Sequence, residues 1–246
     1  MSQSNVVKKN SQQLQSDVQA AVKSILNATT ALKPSDYNKV LAATLAATQK
    51  TVSIQIDAAD LTQLKNSGYR LCFAKKVGNE AYNVVWQSYD KYLSFNDFSW
   101  TPQYQIFGTN TFKADVTVKA STNTVDISLG QQSTLNNAGL MGPAVSGGPD
   151  TAITLINNYG PIHPGINQLS TGIDGVQSST SIYVAINQVV LGQTTLTPVE
   201  KILVWFEQNV QTSTMFSTSR SNAVEIDLTN SNDASRLYIG GIWKTI

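Results

Sequence analysis

The chain holds one histidine, His163, and one cysteine, Cys72, so these side chains are the first candidates for chemistry. A cysteine beside a histidine can act as an activated nucleophile. Cys72, however, lies in an alternating run where it shares a strand face with Arg70 and Ala74, and free cysteines are most often buried and structural. His163 stands in a Gly-Pro-Ile-His-Pro-Gly run, which favours a rigid loop, with a ligand contact as the alternative. A single histidine also excludes a zinc site built on several histidines.

Two carboxylates are the second candidate. Glu225 and Asp227 are two residues apart in a strand-like run, so they point to the same face. Such a pair can do acid–base work on a glycoside, but a solvated strand face is the favoured interpretation. The oxygen-rich turn that continues through Asn230, Asn232 and Asp233 lacks the Gly and the distal Glu of a calcium-binding loop. No nucleotide-binding or hydrolase motif occurs. We therefore expect no enzymatic activity, no metal and no cofactor.

Aromatic residues concentrate between Tyr82 and Phe112, a stretch that holds ten of the twenty aromatics in the chain. Rings at this density either fill a core or offer flat faces to a lipid headgroup, a sugar or another protein. Core packing is favoured for most of them, since Phe95 and Phe98 have no polar group to justify exposure. The spacing from Tyr89 to Pro102 nevertheless fits no single strand or helix face, which places some rings in a loop. The predicted ligand- or membrane-binding residues are Tyr89, Tyr92, Trp100 and Tyr104.

Composition limits the partners. Charged residues make up 13% of the 246-residue chain and the net charge is +1, with Lys and Arg scattered, so no basic stripe is available for nucleic acid. The sequence shows neither a Sec-type signal segment nor a run long enough to span a bilayer. We expect a soluble protein, either cytoplasmic or released without a signal peptide; the location itself is unknown.

The elements that must position these residues change character along the chain. Apolar residues recur at helical spacing in residues 11–31, and a second helix is expected from Ser35 to about Thr48. A short strand at Val52–Ile56 and a helical turn at Ala58–Asn66 follow, ending at Gly68. The sequence thus predicts a helical segment, residues 1–68, packed on or detachable from a β domain, residues 69–246.

Short alternating segments separated by turn residues continue to the end, which predicts an antiparallel β-sandwich. Loops are expected at 131–149 and 157–167. The candidate strands are Tyr69–Val77, Glu80–Ser88, Tyr104–Gly108, Phe112–Ala120, Thr124–Leu129, Ala152–Asn157, Thr180–Val189, Lys201–Gln208, Thr212–Ser217, Ala223–Thr229 and Arg236–Trp243.

An amphipathic N-terminal helix, a polar β-sandwich and an aromatic loop together resemble the plan of the actinoporin-type cytolysins; the resemblance lies in the outline and not in a motif. It implies a pore-forming protein whose partner is a lipid membrane. Two alternatives stay open. Rings flanked by amides fit a carbohydrate-binding, lectin-like module that recognises a cell-surface glycan, and a near-neutral polar surface fits a self-assembling structural or storage protein, hence a homo-oligomer.

Overall fold

Three β-sheets and a short helix make up residues 48 to 246, the part of the chain that the computed structural model describes. The mainly β fold expected from the sequence is confirmed, whereas the two helices expected before residue 48 lie outside the described residues. In chain order the elements are β1 (Lys50–Ile56), α1 (Ala58–Asn66), β2 (Tyr69–Val77), β3 (Gln87–Tyr89), β4 (Phe95–Thr109), β5 (Val125–Ile127), β6 (Gln131–Leu135), β7 (Val145–Ser146), β8 (Ile153–Asn157), β9 (His163–Thr171), β10 (Gln177–Val184), β11 (Gly192–Leu196), β12 (Pro198–Gln208), β13 (Val224–Asp227), β14 (Asp233–Ile239) and β15 (Ile242–Thr245).

The largest sheet has seven strands, in the order β10-β9-β4-β1-β14-β15, with β5 beside β4. The other two sheets have four strands each, in the orders β11-β8-β6-β7 and β13-β12-β2-β3. Most neighbouring strands are antiparallel, as predicted. Two pairs are parallel, β1 with β14 and β6 with β8. The purely antiparallel arrangement expected from the sequence is corrected to this extent, because parallel pairing joins segments far apart in the chain and leaves no hairpin signal.

Strand β1 forms where the sequence predicts it. Val52, Ile54 and Ile56 are buried and alternate with more exposed neighbours, so one face of β1 packs into the core. Helix α1 then starts at Asp57, whose carboxylate accepts a hydrogen bond from the Ala59 amide at 2.9 Å. Because β1 pairs with both β4 and β14, it is an inner strand of the main sheet. The predicted boundary at residue 68 therefore falls inside the compact unit formed by residues 49–246.

The aromatic stretch supplies much of the core. The rings of Phe73 and Phe98 stack with centroids 4.3 Å apart, and Trp86 meets Phe98 edge-on at 5.0 Å and Trp100 at 5.6 Å. All four side chains are almost fully buried. Burial of a large ring contributes on the order of 2–3 kcal/mol, so this cluster is a main source of stability.

Several strand assignments from the sequence are corrected by the structure. Strand β4 begins at Phe95, nine residues before the predicted Tyr104, and β9 begins at His163, inside a predicted loop. Strands β6 and β7 lie in the other predicted loop, residues 131–149. The predicted strand at 112–120 is limited to one isolated bridge, between Thr117 and Thr214.

The loop predicted around His163 is wrong, because the proline and glycine that follow it, Pro164 and Gly165, are part of strand β9. Pro164 lies opposite Gly108 in the β4–β9 pair, and Gly165 lies opposite Phe107. A Cβ atom at Gly165 would sit 2.2 Å from the Phe107 ring, so only glycine lets the strands approach this closely.

Candidate functional site

The four aromatic residues predicted to contact a ligand do not form an exposed surface. Tyr92, Trp100 and Tyr104 are buried, with exposed fractions of 3% or less, and Tyr89 is half-buried. Trp100 and Tyr104 belong to β4, and their rings project from the sheet into the hydrophobic core. The expectation of an exposed recognition surface is therefore corrected for Tyr92, Trp100 and Tyr104, whose rings are core; Tyr89 packs against the core half-buried, with its hydroxyl close to Gly172.

Two apolar residues between these rings are exposed instead. Leu93 and Phe95 expose 65% and 69% of their surface. They belong to the segment from Lys91 to Phe95, called the tip here, which connects β3 to β4. Two large apolar side chains exposed side by side form a candidate contact surface.

A buried asparagine fixes the shape of the tip. The Asn96 side-chain oxygen accepts a hydrogen bond from the Leu93 amide at 2.7 Å, and its side-chain nitrogen donates to the Leu93 carbonyl at 2.6 Å and to the Ile54 carbonyl at 3.2 Å. These bonds tie both ends of a tight turn to β1. The hydrogen-bonded turn therefore holds Leu93 and Phe95 outward, and their exposure is not a result of loose packing.

Tyr92 anchors the middle of the tip. Its hydroxyl donates to the Tyr69 carbonyl at 3.0 Å, and its ring packs against Phe206 with centroids 5.7 Å apart. Burial raises the pKa of Tyr92 to about 12, so the phenol stays a neutral hydrogen-bond donor at any physiological pH. The tip is thus anchored by two buried side chains, Tyr92 and Asn96.

A groove of about 740 Å³ lies beside the tip. The carboxyl end of β12, the α1–β2 connection and the start of the tip form its walls. Its lining residues are Lys65, Gly68, Tyr69, Arg70, Asp90, Lys91, Tyr92, Leu93, Asn209, Val210 and Gln211. Three of them are cationic and one is anionic, so the groove is suited to an anionic or zwitterionic group.

The cations of the groove are held to different degrees. The Arg70 guanidinium donates to the Ser88 hydroxyl at 2.7 Å and to the Ser88 carbonyl at 2.9 Å, and it lies 3.7 Å from Asp90. The Lys65 ammonium lies over the Tyr92 ring, 5.8 Å from its centre. Lys91 is exposed and forms no salt bridge within residues 48–246. Arg70 is therefore a fixed donor, whereas both lysines can turn toward a bound group.

Leu93 and Phe95 were missed because exposure was assigned by side-chain polarity. The alternation of β4 contains the needed signal. Asn96, Phe98 and Trp100 point inward, so Phe95 falls on the outer face with Asp97. A register based on the buried Phe98 and Trp100 would have placed Phe95 outside.

The cysteine and the histidine are not brought together. The buried Cys72 thiol has its polar contacts at the Arg70 carbonyl and the Ser88 hydroxyl, and burial raises its pKa to about 12. Such a thiol is not a nucleophile at neutral pH. His163 sits at the start of β9 with Nδ1 2.8 Å from the Ala185 carbonyl. Both side chains have structural surroundings.

The paired carboxylates on β13 are neutralised by cations. Asp227 lies 3.0 Å from Lys201, and Glu225 lies 3.8 Å from Lys201 and 3.9 Å from Lys76. Hydrogen bonds from Thr229 and from Lys201 lower the pKa of Asp227 to about 2. A general acid needs the opposite shift, so the solvated, ion-paired face favoured by the sequence agrees with this geometry.

The oxygen-rich turn after β13 holds a lysine. The Lys50 ammonium donates to the Leu228 carbonyl at 3.0 Å, the Ser231 carbonyl at 2.7 Å and the Asn232 side-chain oxygen at 3.0 Å. A positive charge of the chain itself thus occupies this turn, bound by two backbone carbonyls and by Asn232, one of the side chains that suggest a cation site. Within residues 48–246 no cluster of three or more His, Cys, Asp or Glu could hold a metal ion.

One buried ion pair had not been expected. Lys75 is fully buried and its ammonium lies 2.7 Å from Glu200, which also accepts a hydrogen bond from the Trp100 indole at 2.8 Å. Burial lowers the pKa of Lys75 to about 8, although the Glu200 carboxylate opposes this shift. Alternation in β2 gives the signal, because Leu71, Phe73 and Lys75 share one face.

No protein-family model, curated protein or solved structure matches this chain. None of the helices within residues 48–246 has the length and the apolar character needed to cross a bilayer.

Proposed function

We propose that this protein is a non-enzymatic membrane-binding protein of the pore-forming, cytolysin-like class, and that it contacts the membrane through the tip and the neighbouring groove. The observation that carries the proposal is the exposed Leu93 and Phe95 pair, held outward by Asn96 next to three cationic side chains. Apolar side chains that enter the headgroup region, with basic residues around them, are the usual means by which soluble domains dock on lipid.

The side chains of the tip and the groove determine the free energy of membrane binding. Leu93 and Phe95 each gain at most about 1.5–3 kcal/mol when fully buried in an apolar phase. A Lys or Arg near an anionic surface adds about 1 kcal/mol, and Lys65 and Lys91 are free to turn toward it. One tip therefore supports reversible binding that depends on anionic lipid, and several tips in one assembly bind much more tightly.

The non-enzymatic character is supported by the placement of the reactive groups. Cys72 is buried with a raised pKa, and Glu225 and Asp227 are ion-paired with lysines. The groove beside the tip is lined by cations and a tyrosine pair, without a nucleophile held against a base. These contacts favour binding over bond-breaking chemistry.

A cell-surface glycan was the alternative partner. Sugar binding by stacking needs an exposed ring face, and Tyr92, Trp100 and Tyr104 offer none; the Phe95 ring is exposed, but it lies beside the aliphatic Leu93, and such an apolar pair suits lipid better than a sugar. Lipid is therefore proposed as the partner, and a glycan array serves as the comparison.

The test is sedimentation with liposomes of neutral phosphatidylcholine or of phosphatidylcholine mixed with phosphatidylserine. We expect the wild type to bind the anionic mixture, more weakly at high salt. Leu93→Ser with Phe95→Ser should reduce binding at least about tenfold, while the free energy of unfolding changes by less than about 0.5 kcal/mol per site.

Leu140→Ser is the matched control, since Leu140 is 59% exposed on the connection between β6 and β7, which belong to neither of the sheets that the tip joins. Equal binding by the wild type and the tip variant, or equal loss in the control, would contradict the assignment of the tip. Binding to the array that depends on Leu93 and Phe95 would replace lipid by glycan.

A further inference from the structure

Strand β11 forms an unprotected edge. It is the outer strand of the β11-β8-β6-β7 sheet, and within residues 48–246 its ladder partner is β8 alone. Its residues are Gly192, Gln193, Thr194, Thr195 and Leu196, with no charged side chain and no proline among them. The backbone N–H and C=O groups on the outer side of such a strand are open to pairing with another chain.

Other sheet edges in the described part of the chain are protected. Strand β10 is covered, because the Asn83 amide donates to the Val184 carbonyl at 2.7 Å and the Thr180 hydroxyl donates to the Trp86 carbonyl at 3.1 Å. Strand β13 carries Glu225 and Asp227, and β15 carries Lys244. The remaining outer strands, β3, β5 and β7, have three residues or fewer. Strand β11 is the longest edge without charge or cover.

The stretch of sequence that contains β11 carries little charge. Residues 120–199 contain three aspartates and no lysine or arginine. Val190 and Leu191, directly before β11, expose 68% and 64% of their surface. A charged partner finds little to attract it here, whereas a second copy brings no strong repulsion and buries two apolar side chains from each side.

We propose that β11 pairs with β11 of a second copy, antiparallel and related by a two-fold axis. Each copy offers the same edge, so the contact is self-complementary and closed, as in most homodimers. The two sheets join into one of eight strands, in the order β7-β6-β8-β11 followed by β11-β8-β6-β7 of the second copy. With the axis at Thr194, Gln193 faces Thr195 of the second copy. This inference is independent of the tip, which lies on a different sheet connection.

The experiment uses charge on the exposed face of β11. One variant of the full chain carries Gln193→Lys and Thr195→Lys, and a second carries Gln193→Glu and Thr195→Glu; both positions are exposed, so the core is unaffected. The control carries Gln177→Lys and Ser179→Lys at exposed positions on the covered edge β10. Sedimentation equilibrium over a range of protein concentrations measures the dimer dissociation constant, and circular dichroism confirms folding.

The wild type and the β10 control should dimerise. Each β11 variant alone should dissociate at least about tenfold more readily, because like charges face each other across the pair. An equal mixture of the lysine and glutamate variants should regain dimers, since unlike charges then meet.

A monomeric wild type at high protein concentration overturns the proposal and leaves β11 to another partner. Undiminished dimers in both β11 variants overturn it too, because the contact must then lie elsewhere. Loss of dimers in the β10 control, or no recovery in the mixture, shows an unspecific effect of charge and also counts against β11 pairing.

Discussion

At the scale of single residues, Lys75 is a fully buried side chain whose ionisation affects stability. Its ammonium has no exposed surface, and its neighbours are the Glu200 carboxylate, the Trp100 ring at 4.6 Å and, more distantly, the Lys50 ammonium. Desolvation disfavours the charge, whereas Glu200 favours it. Glu200 keeps 27% of its side chain exposed, so the carboxylate can be solvated alone and the ammonium cannot.

This environment predicts a pH dependence. The pKa of Lys75 is about 8 in the folded protein against an ordinary value of 10.5, so between these pH values the unfolded chain binds more protons. The free energy of unfolding therefore gains from Lys75 as pH rises through this window, and the gain is lost as pH falls through about 8. Cys72 and the buried tyrosines have raised pKa values and act in the opposite direction above about pH 9.

Comparing the wild type with Lys75→Met isolates the contribution of Lys75 to the pH dependence of the unfolding free energy, because the other titratable groups are common to both proteins. Urea unfolding at pH 7.5, 9 and 10.5 should show the wild type gaining about 1–3 kcal/mol relative to the variant. A constant difference across these pH values would contradict the low pKa of Lys75.

At the scale of elements, the turn closed by Asn96 determines whether the tip is ready to bind. Asn96→Ala removes three hydrogen bonds and leaves the Leu93 amide without its acceptor. We expect a loss of about 1–3 kcal/mol in unfolding free energy. Liposome binding should weaken as well, although Leu93 and Phe95 are unchanged, because a mobile tip must be ordered on contact.

Asn96→Asp is the comparison, since it keeps the acceptor for the Leu93 amide and loses the two donated bonds. It also sets a buried carboxylate oxygen against the Leu93 and Ile54 carbonyls, so its liposome binding should be at least as weak as that of Asn96→Ala. If Asn96→Ala melts at a lower temperature but binds liposomes like the wild type, the order of the tip is irrelevant to function.

The elements were predictable where the pattern is local. Strand β1 followed from the alternation of Val52, Ile54 and Ile56, and helix α1 from the helical turn predicted at Ala58–Asn66 before Gly68. The exposure of Phe95 was also readable from the alternation of β4, but the turn closed by Asn96 was not, because one of its hydrogen bonds reaches Ile54 on β1. Three other features also depend on pairing with another part of the chain: the parallel pairing of β6 with β8, the hydrogen bonds of Lys50 to the turn after β13, and the burial of Lys75 against Glu200.

At the scale of the whole molecule, residues 49–246 form a compact unit with its own core. A chain reduced to Gln49–Ile246 should therefore unfold cooperatively and still sediment with anionic liposomes. It should no longer release dye from them, if the amphipathic sequence of residues 11–31 forms the pore. A fragment that does not fold, or one that releases dye like the full chain, would contradict this division of roles.

The position of β1 between β4 and β14 governs how the chain reaches its native state. Lys50 and Asn232 are in contact although 182 residues separate them. At about 5–20 residues per second, a ribosome delivers β14 roughly 10–35 s after β1. Throughout that delay one edge of a strand rich in valine and isoleucine has no native partner. Folding is therefore completed late and slowly, as expected when contacts join distant parts of a chain, and a nascent chain that stalls before residue 233 exposes a strand prone to aggregate.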